Sequence, residues 1–406
     1  MSSPAAATRR TPAADTALKG SLLAVATLTV MAGSIVAPSL PGLERHFADV
    51  PRIEYLSKLI VTLPSLAMAL MAPVAGYIID RFGRRRLMLA GIVLYALAGL
   101  SGALIDSIIA ILISRAILGV ATATIATSVA TLIGDYFEGT LRNRMAGYRN
   151  AANNLGGVVY LLFGGWLAAI DWRAPFLIYV SAFALFVLVW RHIYEPGRPG
   201  TKGASSSTLG DEGRAVPWLA IGANYAAAIL FGLSFYMIPT QVPFLMEVLG
   251  LSDPQWAGLG IAASTLATGV TSLFYGTIRR FVSTSTMFIY GYALAASGYA
   301  LVALSLGITT TFVGLIVFGI GMGSITANFS IRLLDLAPPR VRGRVMGGQN
   351  ASLMMGFFAS PFLSQTVADI WDIPAAFGVA SGILATVMLG FLITAVLTPS
   401  RTTPLR

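Results

Sequence analysis

The sequence predicts an all-α integral membrane protein whose twelve transmembrane helices form two pseudo-symmetric six-helix bundles. Three observations predict this fold class: the composition, a series of long apolar runs and an internal repeat. Hydrophobic residues make up 56% of the 406 residues and charged residues only 11%, whereas soluble domains carry about 25% charged residues. The mean hydropathy of the chain is +0.77. Most of the chain is therefore expected to lie in a lipid bilayer.

Runs of about 20 apolar residues are long enough to cross the hydrocarbon core as helices. The sequence contains twelve such runs, at 20–41, 56–79, 86–105, 108–133, 147–169, 174–193, 217–246, 256–278, 286–306, 309–332, 347–368 and 374–397.

The lysines and arginines predict the orientation of these spans. Cytoplasmic loops are enriched in both residues, and the segment 81–86 holds four arginines between two spans. If that segment is cytoplasmic, 22 of the 27 Lys and Arg residues lie on the cytoplasmic side and 4 on the other side. The remaining one, Arg115, lies inside a span. We therefore expect both termini in the cytoplasm and, from the Ala- and Gly-rich composition, a location in a bacterial inner membrane.

A stretch rich in Pro, Gly and Ser divides the spans into two sets of six, as a flexible linker would. The predicted segments are a cytoplasmic tail at 1–19, an N-terminal bundle at 20–193, a cytoplasmic linker at 194–216, a C-terminal bundle at 217–397 and a second tail at 398–406.

The two halves also repeat each other at an offset of 200 residues. The motif Arg-x-Arg-x-x-Gly-x-x-Asn begins at Arg142 and again at Arg342, and Gly119 has its match at Gly319. Chance similarity between Gly-rich helices is the alternative, but several motifs sharing one offset argue against it. A parallel repeat of this kind is typical of two bundles that move relative to each other.

The segment between spans two and three carries the most specific motif. Its glycines predict a close helix approach at Gly76 and a tight turn at Gly83, and its Asp80 can face an arginine or a helix N-terminus. The motif residues are Gly76, Asp80, Arg81, Gly83, Arg84 and Arg85. The pattern Gly-x-x-x-Asp-Arg-x-Gly-Arg-Arg resembles the signature loop of the major facilitator superfamily. The alternative interpretation is a basic loop that only sets topology.

That resemblance, which covers roughly residues 20–397, implies a secondary transporter that works by alternating access. It is most similar to the bacterial branch that exports drugs and metabolites in exchange for protons. Asp80 and Arg84, with Arg142 and Arg144, would then form a cytoplasmic charge network that breaks when the transporter opens. A proton-coupled uptake symporter or a uniporter for a small organic nutrient is the alternative function.

Arg115 is a candidate coupling residue because it lies about seven residues inside the fourth span, roughly 10 Å from its end. An intramembrane charge is a functional hypothesis by default. Its sequence Arg-x-x-x-Gly119 also resembles a motif of proton-coupled members of the superfamily. The alternative is a structural arginine bound to backbone carbonyls. None of the 17 Asp and Glu residues lies near the middle of a span, and Ala32 stands where many related antiporters carry an acid.

The fifth span also departs from the antiporter pattern, since Tyr160 and Leu161 replace a Gly-Pro pair. Polar residues in the central spans are the candidates for a substrate site near the midplane, although each can equally hold helices together. They are Ser34, Asn153, Asn154, Tyr160, Asn224, Tyr225, Tyr236, Gln241, Asn328, Gln349 and Asn350. Such a site suits an uncharged, weakly charged or amphipathic small molecule.

Other function classes receive little support. The chain has no cysteine and only two histidines, so thiolate and multi-histidine metal sites are excluded. We find no paired carboxylates at catalytic spacing and no phosphate-binding loop, so we expect neither an enzyme nor a cofactor. The net charge of +10 is explained by topology rather than by nucleic acid. The expected partners are the bilayer, a small-molecule substrate and protons, and the expected state is a monomer.

Overall fold

A computed structural model describes residues 15–196, 216–279, 281–338 and 341–397 of the chain. Most of the predicted tails and linker, namely residues 1–14, 197–215 and 398–406, lie outside the described residues. The same is true of Arg280 and of the side chains of Asp80 and Asp335.

The described chain is helical along nearly its whole length. In the first half the helices are α1 (Thr16–Ser34), α2 (Leu40–His46), α3 (Ile53–Phe82), α4 (Arg84–Leu104), α5 (Ile108–Tyr136), α6 (Gly139–Ala168) and α7 (Ser181–His192). In the second half they are α8 (Trp218–Val248), α9 (Pro254–Ile278), α10 (Thr284–Ala303), α11 (Ile308–Leu336), α12 (Arg342–Ile370) and α13 (Ile373–Leu397). Short 3-10 helices, Ala37–Ser39 and Ala174–Val180, lead into α2 and α7. The first predicted span therefore comprises α1 and α2. The predicted spans two to twelve correspond, in order, to the helices α3 to α13.

Local sequence explains several helix ends. Asp15 accepts a hydrogen bond from the backbone N–H of Leu18 at 3.0 Å and so caps α1. The helix consequently includes residues 16–19, which the sequence assigned to the tail. Asp253 caps α9 in the same way, directly before Pro254. Gly83 separates α3 from α4 with a φ of +93°, a conformation that glycine adopts without a steric penalty.

Ten helical segments of the described residues are long and apolar enough to cross a membrane by length and composition alone. The helices α6 and α12 do not belong to these ten, and the repeat relates them to each other. Both begin earlier than their predicted spans, at Gly139 rather than 147 and at Arg342 rather than 347. Arginine and amide side chains lower the hydropathy of these first turns, although the backbone is already helical. Arg142 and Arg144 therefore lie on a helix and not in a loop.

The polar helices α6 and α12 pack inside the molecule. The first lies between α1 and α9, and the second lies between α8 and α3. The pairs α6–α9 and α3–α12 join the two halves, so each half contributes one polar helix to the contact. A Cβ atom added to Gly258 would lie 3.0 Å from the Cα of Gly165. This close approach requires glycine on both helices.

Each half has its own apolar core. Tyr95, Phe176 and Tyr179 are fully buried in the first half, and Phe288, Tyr299 and Phe318 have less than 2% exposure in the second. Hereafter, the basic end is the end of the molecule where α4 begins at Arg84, and the opposite end is the one where α3 begins at Ile53.

Candidate functional site

The two halves are held together at the opposite end. Arg45 Nη1 lies 2.5 Å from Glu247 Oε1, which joins α2 to α8. The hydroxyl of Tyr55 on α3 donates to Asp369 Oδ2 on α12 at 2.8 Å. Val242 and its neighbours in α8 are fully buried at this end. The space between the halves is therefore closed there.

Lys58 is the buried centre of this closed end, with a side chain that is only 2% exposed. Its ammonium nitrogen lies 3.9 Å from the ring centroid of Phe244, which belongs to the second half. The same nitrogen lies 3.4 Å from Glu44 Oε1 and donates to the carbonyl of Glu54 at 3.1 Å. Ser57 donates to the same oxygen of Glu44 at 2.5 Å. A carboxylate, a carbonyl and an aromatic face thus compensate the buried charge.

Tyr236 occupies the middle of the contact between the halves. Its hydroxyl lies near the predicted site residue Ser34 and near Ser65, both in the first half. Its ring stacks on Phe357 at a centroid distance of 4.1 Å. A side chain at Gly33 would collide with the tyrosine, since an added Cβ would lie 2.6 Å from the hydroxyl oxygen. Tyr236 and Ser34, two of the candidates for a substrate site, therefore lie near each other, and their role in binding stays a prediction.

A cavity of about 160 Å³ lies between α8, α11 and α12, nearer the basic end. The predicted site residues Gln349 and Asn350 line it together. Phe231 and Phe329 form its aromatic wall and contact each other edge to face at 5.7 Å. The Oε1 atom of Gln349 is buried and has no hydrogen-bond partner among the described residues. The cavity thus combines aromatic surface with an acceptor that a ligand or water can satisfy.

The basic end is open where the opposite end is closed. Arg142, Arg144 and Tyr148 are exposed on α6, and Arg342, Arg344 and Asn350 are exposed on α12. Close contacts of α6 with the other half lie further along this helix, at Asn154–Gly269 and Gly165–Gly258. Asn350, which lines the cavity, is exposed towards the basic end.

Asn328 and Tyr225, two of the other predicted residues, hold helices together. Asn328 accepts from Tyr275 at 2.7 Å and donates to the carbonyl of Thr284 at 2.8 Å. Tyr225 donates to the carbonyl of Val345 at 2.8 Å. These contacts use the polar atoms internally, which corresponds to the packing alternative.

Gln241 and Asn154 are also engaged in contacts between helices. The Nε2 atom of Gln241 donates to Ser364 Oγ at 3.0 Å on α12. Asn154 packs against Gly269 of the second half, where an added Cβ would lie 3.0 Å from the Asn154 Cβ.

Three further candidates lie along the helices that border the space between the halves. Tyr160 lies with its hydroxyl 3.3 Å from Thr27 Oγ1 on α1. Asn224 donates weakly to the carbonyl of Phe329 at 3.4 Å. The side-chain oxygens of Asn153 and Asn224 are buried and have no hydrogen-bond partner among the described residues. Asn153 and Asn224 can therefore still bind a ligand.

Arg115 is completely buried inside the first half. Its Nη2 atom donates to the carbonyls of Ala98 and Gly99 at 2.8 and 2.9 Å, and its Nη1 atom donates to the Tyr179 hydroxyl at 3.3 Å. Tyr179 in turn donates to the carbonyl of Ala32 at 3.1 Å. Arg115 is thus linked to the position on α1 where related antiporters carry an acid. These partners are those of the structural alternative, and the coupling role stays a prediction.

The signature loop is fastened by carboxylates from other segments. Arg84 Nε lies 3.0 Å from Asp135 Oδ2 at the end of α5. The carboxylate of Glu195 accepts the backbone N–H groups of Arg84 and Arg85 at 2.8 Å each and so caps α4. The sequence analysis missed Glu195, because nothing in the sequence brings the start of the linker to this loop.

The remaining residues of the loop are less enclosed. Arg81 is exposed and its guanidinium carbon lies 5.8 Å from the ring centroid of Phe82. At Gly76 no atom lies within 4 Å of the position that a Cβ would take, so the close helix approach predicted there does not occur in this conformation. The Asp80 side chain lies outside the described residues.

Described carboxylates lie in loops or close to helix ends. Asp135 ends α5, Asp369 ends α12, and Glu54 begins α3. The part of the chain that the structure describes therefore places no carboxylate beside the cavity. The aromatic and amide side chains supply the polarity of the site.

Two halves that meet through α6–α9 and α3–α12, with a cavity lined by α8, α11 and α12, have the arrangement of a polytopic membrane protein. The sequence profile of the Major Facilitator Superfamily matches residues 22–255 and 224–406. The chain therefore belongs to the Major Facilitator Superfamily.

Named relatives match parts of the chain. A bacillibactin exporter of Bacillus subtilis is 30% identical over 162 residues, which is 38% of this chain and 40% of the relative. The class C tetracycline resistance protein of Escherichia coli is 28% identical over 258 residues, which is 61% of this chain and 63% of the relative. The matches thus cover less than two thirds of either relative.

Solved structures show the same fold along most of the chain. A D-xylose-proton symporter superposes with a TM-score of 0.74 at 13% identity, covering 92% of this chain and 97% of that structure. A bacterial homologue of the human lysosomal transporter Spinster, in an inward-facing and occupied conformation, gives a TM-score of 0.73 at 15% identity and covers 93% of this chain and 94% of its own. At these identities the likeness concerns the fold alone.

Proposed function

We propose that the protein is a secondary active transporter that exports a small amphipathic organic compound in exchange for protons, with its basic end in the cytoplasm. The observation that carries this proposal is the asymmetry of the space between the halves. Gln349 and Asn350 line a cavity that is reached from the basic end, while Arg45 and Glu247 help to close the opposite end. Alternating access needs such a conformation as one of its two states.

The chemistry of the cavity supports an amphipathic compound. Phe231 and Phe329 offer aromatic faces, and Gln349 and Asn350 offer amide groups that can orient a ligand. Apolar pockets with a few convergent polar groups are the usual binding sites of small organic molecules. A sugar phosphate or a dicarboxylate would require several cations in the cavity wall.

The direction of transport is supported by the relatives. One of them is named as an exporter, and others are named as tetracycline and puromycin resistance proteins. Export is the shared activity that these names suggest, and we extend it to this chain. In this scheme the described conformation is inward-facing, since 22 of 27 basic residues would be cytoplasmic.

A proton-coupled uptake symporter or a uniporter is the second candidate. The described residues place no carboxylate beside the cavity, and Ala32 stands where many related antiporters carry an acid. A carrier without such an acid has no obvious proton site next to its substrate. Arg115, which is linked through Tyr179 to Ala32, is the residue that we propose for coupling in the export reaction.

Flux measurements in liposomes test the proposal. The purified chain is reconstituted with a pH-sensitive dye inside the vesicles, and amphipathic compounds are added with and without an imposed proton gradient. Export coupled to protons predicts that compound and protons cross in opposite directions, and that a gradient drives the compound uphill. Movement in the same direction would establish a symporter, and movement of the compound without protons would establish a uniporter.

The sequence offers a matched control for this assay. The chain has no cysteine, so the double variant Arg45→Cys with Glu247→Cys contains the only two thiols. A reducible bifunctional reagent that links these positions holds the opposite end closed. Flux should stop on cross-linking and return on reduction. Flux that continues in the cross-linked protein would contradict alternating access.

A further inference from the structure

Arg149 is a basic side chain well inside the helix α6. It lies ten residues after Gly139, which places it about 15 Å along the helix from its first residue. The sequence analysis placed Arg149 at the start of the span predicted at 147–169 and counted it on the cytoplasmic side. The structure places it on the polar helix that borders the space between the halves.

Arg149 has no partner in the described part of the chain. It is partly buried, yet it makes no hydrogen bond, ion pair or ring contact with any described residue. Arg115 is different, because carbonyls and a tyrosine hydroxyl surround its guanidinium group. A cation that is partly withdrawn from water without a partner is costly inside a membrane protein. An unpaired arginine at this depth therefore suggests a partner that arrives from outside the chain.

The helix face that carries Arg149 identifies its surroundings. Arg149, Asn153, Gly156 and Tyr160 lie on one stripe of α6, at spacings of four, three and four residues. Gly156 and Tyr160 both contact Thr27, so the stripe faces α1. The helices rise in the same direction, since the next contact along them joins Gly164 to Ile35.

The helical register then shows what faces Arg149. Two turns towards the basic end from the Gly156–Thr27 contact, Arg149 is level with Gly20 on α1. Gly20 is exposed, and no atom lies within 4 Å of the position that its Cβ would take. The space in front of Arg149 is therefore open. One turn deeper, the side-chain oxygen of Asn153 is buried without a partner.

The internal repeat relates Arg149 to Gln349. Both residues immediately precede the asparagine of the repeated motif, Asn150 in one half and Asn350 in the other. Gln349 lines the cavity in the second half and has an unpartnered oxygen. The repeat thus places an arginine of the first half at the position equivalent to a cavity-lining amide of the second half.

We infer that Arg149 binds a negatively charged group of the transported compound, so that the substrate class is an amphipathic organic anion. A guanidinium group recognises a carboxylate or sulfonate through two parallel hydrogen bonds. Arg149 supplies one positive charge, and the aromatic and amide residues supply the rest of the surface, which fits one anionic group on an apolar body. This inference rests on the proposed function and specifies the substrate class of the same site.

A matched pair of fluorescent probes tests the charge requirement. 1-Anilinonaphthalene-8-sulfonate and N-phenyl-1-naphthylamine share one aromatic skeleton and differ in the sulfonate group. Binding of each is titrated to the full chain in nanodiscs of uncharged phosphatidylcholine, with empty nanodiscs subtracted. The variant Arg149→Gln carries the residue found at the equivalent position of the second half. It should lose about tenfold or more in affinity for the sulfonate probe and keep its affinity for the neutral probe.

Two further variants complete the experiment. Arg149→Lys should retain part of the affinity for the sulfonate probe, because the charge is kept and the fork is lost. Arg191→Gln removes the same charge from an exposed site at the end of α7 and should change neither titration. Equal affinity of wild type and Arg149→Gln for the sulfonate probe would overturn the inference. An equal loss for both probes would also overturn it and would assign Arg149 to a contact between the halves.

The binding measurement is independent of transport. It is made at equilibrium without a gradient, so a charge-specific loss supports the anion site even if flux assays show no proton coupling. Conversely, coupled export of an amphipathic anion by Arg149→Gln at the wild-type rate would support the proposed function and remove the anion site.

Discussion

The ammonium nitrogen of Lys58 lies 3.9 Å from the ring centroid of Phe244, and this contact joins the first half of the molecule to the second. Lys58 keeps Glu44 and the carbonyl of Glu54 as partners within its own half. The aromatic partner is lost whenever the halves separate at the opposite end. The contact therefore stabilises the state that is closed at the opposite end relative to a state that is open there.

Phe244→Ala should shift the protein away from the state that is closed at the opposite end. The change removes a buried cation–π contact and buried aromatic surface, together at least about 2 kcal/mol, which corresponds to about a thirtyfold shift. The readout is a single thiol introduced by Val61→Cys, one turn from Lys58 and fully buried. We expect it to react with a water-soluble maleimide at least about tenfold faster in the Phe244→Ala background.

Phe274→Ala is the control for this experiment, because Phe274 is 59% exposed on the outer surface of α9. It should leave the reaction rate of the thiol unchanged. An unchanged rate in the Phe244→Ala background as well would remove the aromatic contact from the closing mechanism.

Arg115→Ala should lower the stability of the protein and abolish coupled transport. The substitution leaves a cavity, and it deprives two carbonyls and the Tyr179 hydroxyl of their donor, a loss of about 3 kcal/mol or more. Arg115→Lys should restore part of both properties, since one ammonium group cannot reach the three acceptors as the guanidinium fork does. Thermal unfolding and proton flux in liposomes measure the two effects separately.

Tyr179→Phe tests how much the Tyr179 hydroxyl contributes to stability within the same network. It removes the hydroxyl between Arg115 and the carbonyl of Ala32 and should cost about 1 kcal/mol of stability. Tyr77→Phe, at a position that is 69% exposed, is the control and should cost no stability.

For Arg115→Ala, wild-type stability together with wild-type flux would contradict both assigned roles of the arginine.

The sequence predicted the fold because bilayer thickness and hydropathy determine where a chain can cross a membrane. It also listed Ser34 and Tyr236 among the candidate site residues, and these two lie near each other at the contact between the halves. It could not separate Gln349, which lines the cavity, from Asn328, which holds helices together. The same amide chemistry serves both purposes, and only the neighbouring helices decide between them.

The sequence analysis missed other features of the site for a different reason. Arg149 lies near the start of its predicted span at 147–169, and the sequence did not show that the helix already begins at Gly139. The contact between Lys58 and Phe244 joins residues that are far apart in sequence. The motifs of the chain therefore identified the signature loop and the repeat, whereas contacts across the two halves required the structure.

Glu195→Gln should weaken the attachment of the signature loop. The Glu195 carboxylate accepts two backbone N–H groups at the start of α4, and the preceding Gly83 has no side chain that could cap the helix. A neutral amide has one oxygen to accept with, and it loses the attraction to the helix N-terminus. We expect a loss of about 1 kcal/mol in the free energy of unfolding. Glu138→Gln is the matched control, because Glu138 precedes α6 without a capping hydrogen bond. Equal stability of the two variants would show that the carboxylate of Glu195 does not fasten the loop.

Asp106→Asn should reveal a stabilising contact that depends on pH. Asp106 Oδ1 lies 2.6 Å from both His46 Nε2 and Arg173 Nη2 at the opposite end. The hydrogen bond from His46, and then the charges of His46 and Arg173, hold the pKa of Asp106 below its ordinary value of 3.8. A carboxylate with a depressed pKa in the folded protein contributes stability above its unfolded pKa and loses it as the pH falls through the folded pKa.

The unfolding temperature of Asp106→Asn should therefore lie below that of wild type at neutral pH. Because Asp106 is fully exposed, solvent screens the contact and the difference should be small. It should persist down to about pH 4 and disappear in more acidic buffers, where the native carboxyl takes up its proton. Asp49→Asn removes an exposed carboxylate for which the structure shows no hydrogen bond, so this variant should not produce the same pH-dependent difference. A difference in unfolding temperature between Asp106→Asn and wild type that stays constant through the acidic range would contradict this prediction. It would mean that the charge of Asp106 does not contribute to stability and that only the shape of its side chain matters for the contact with His46.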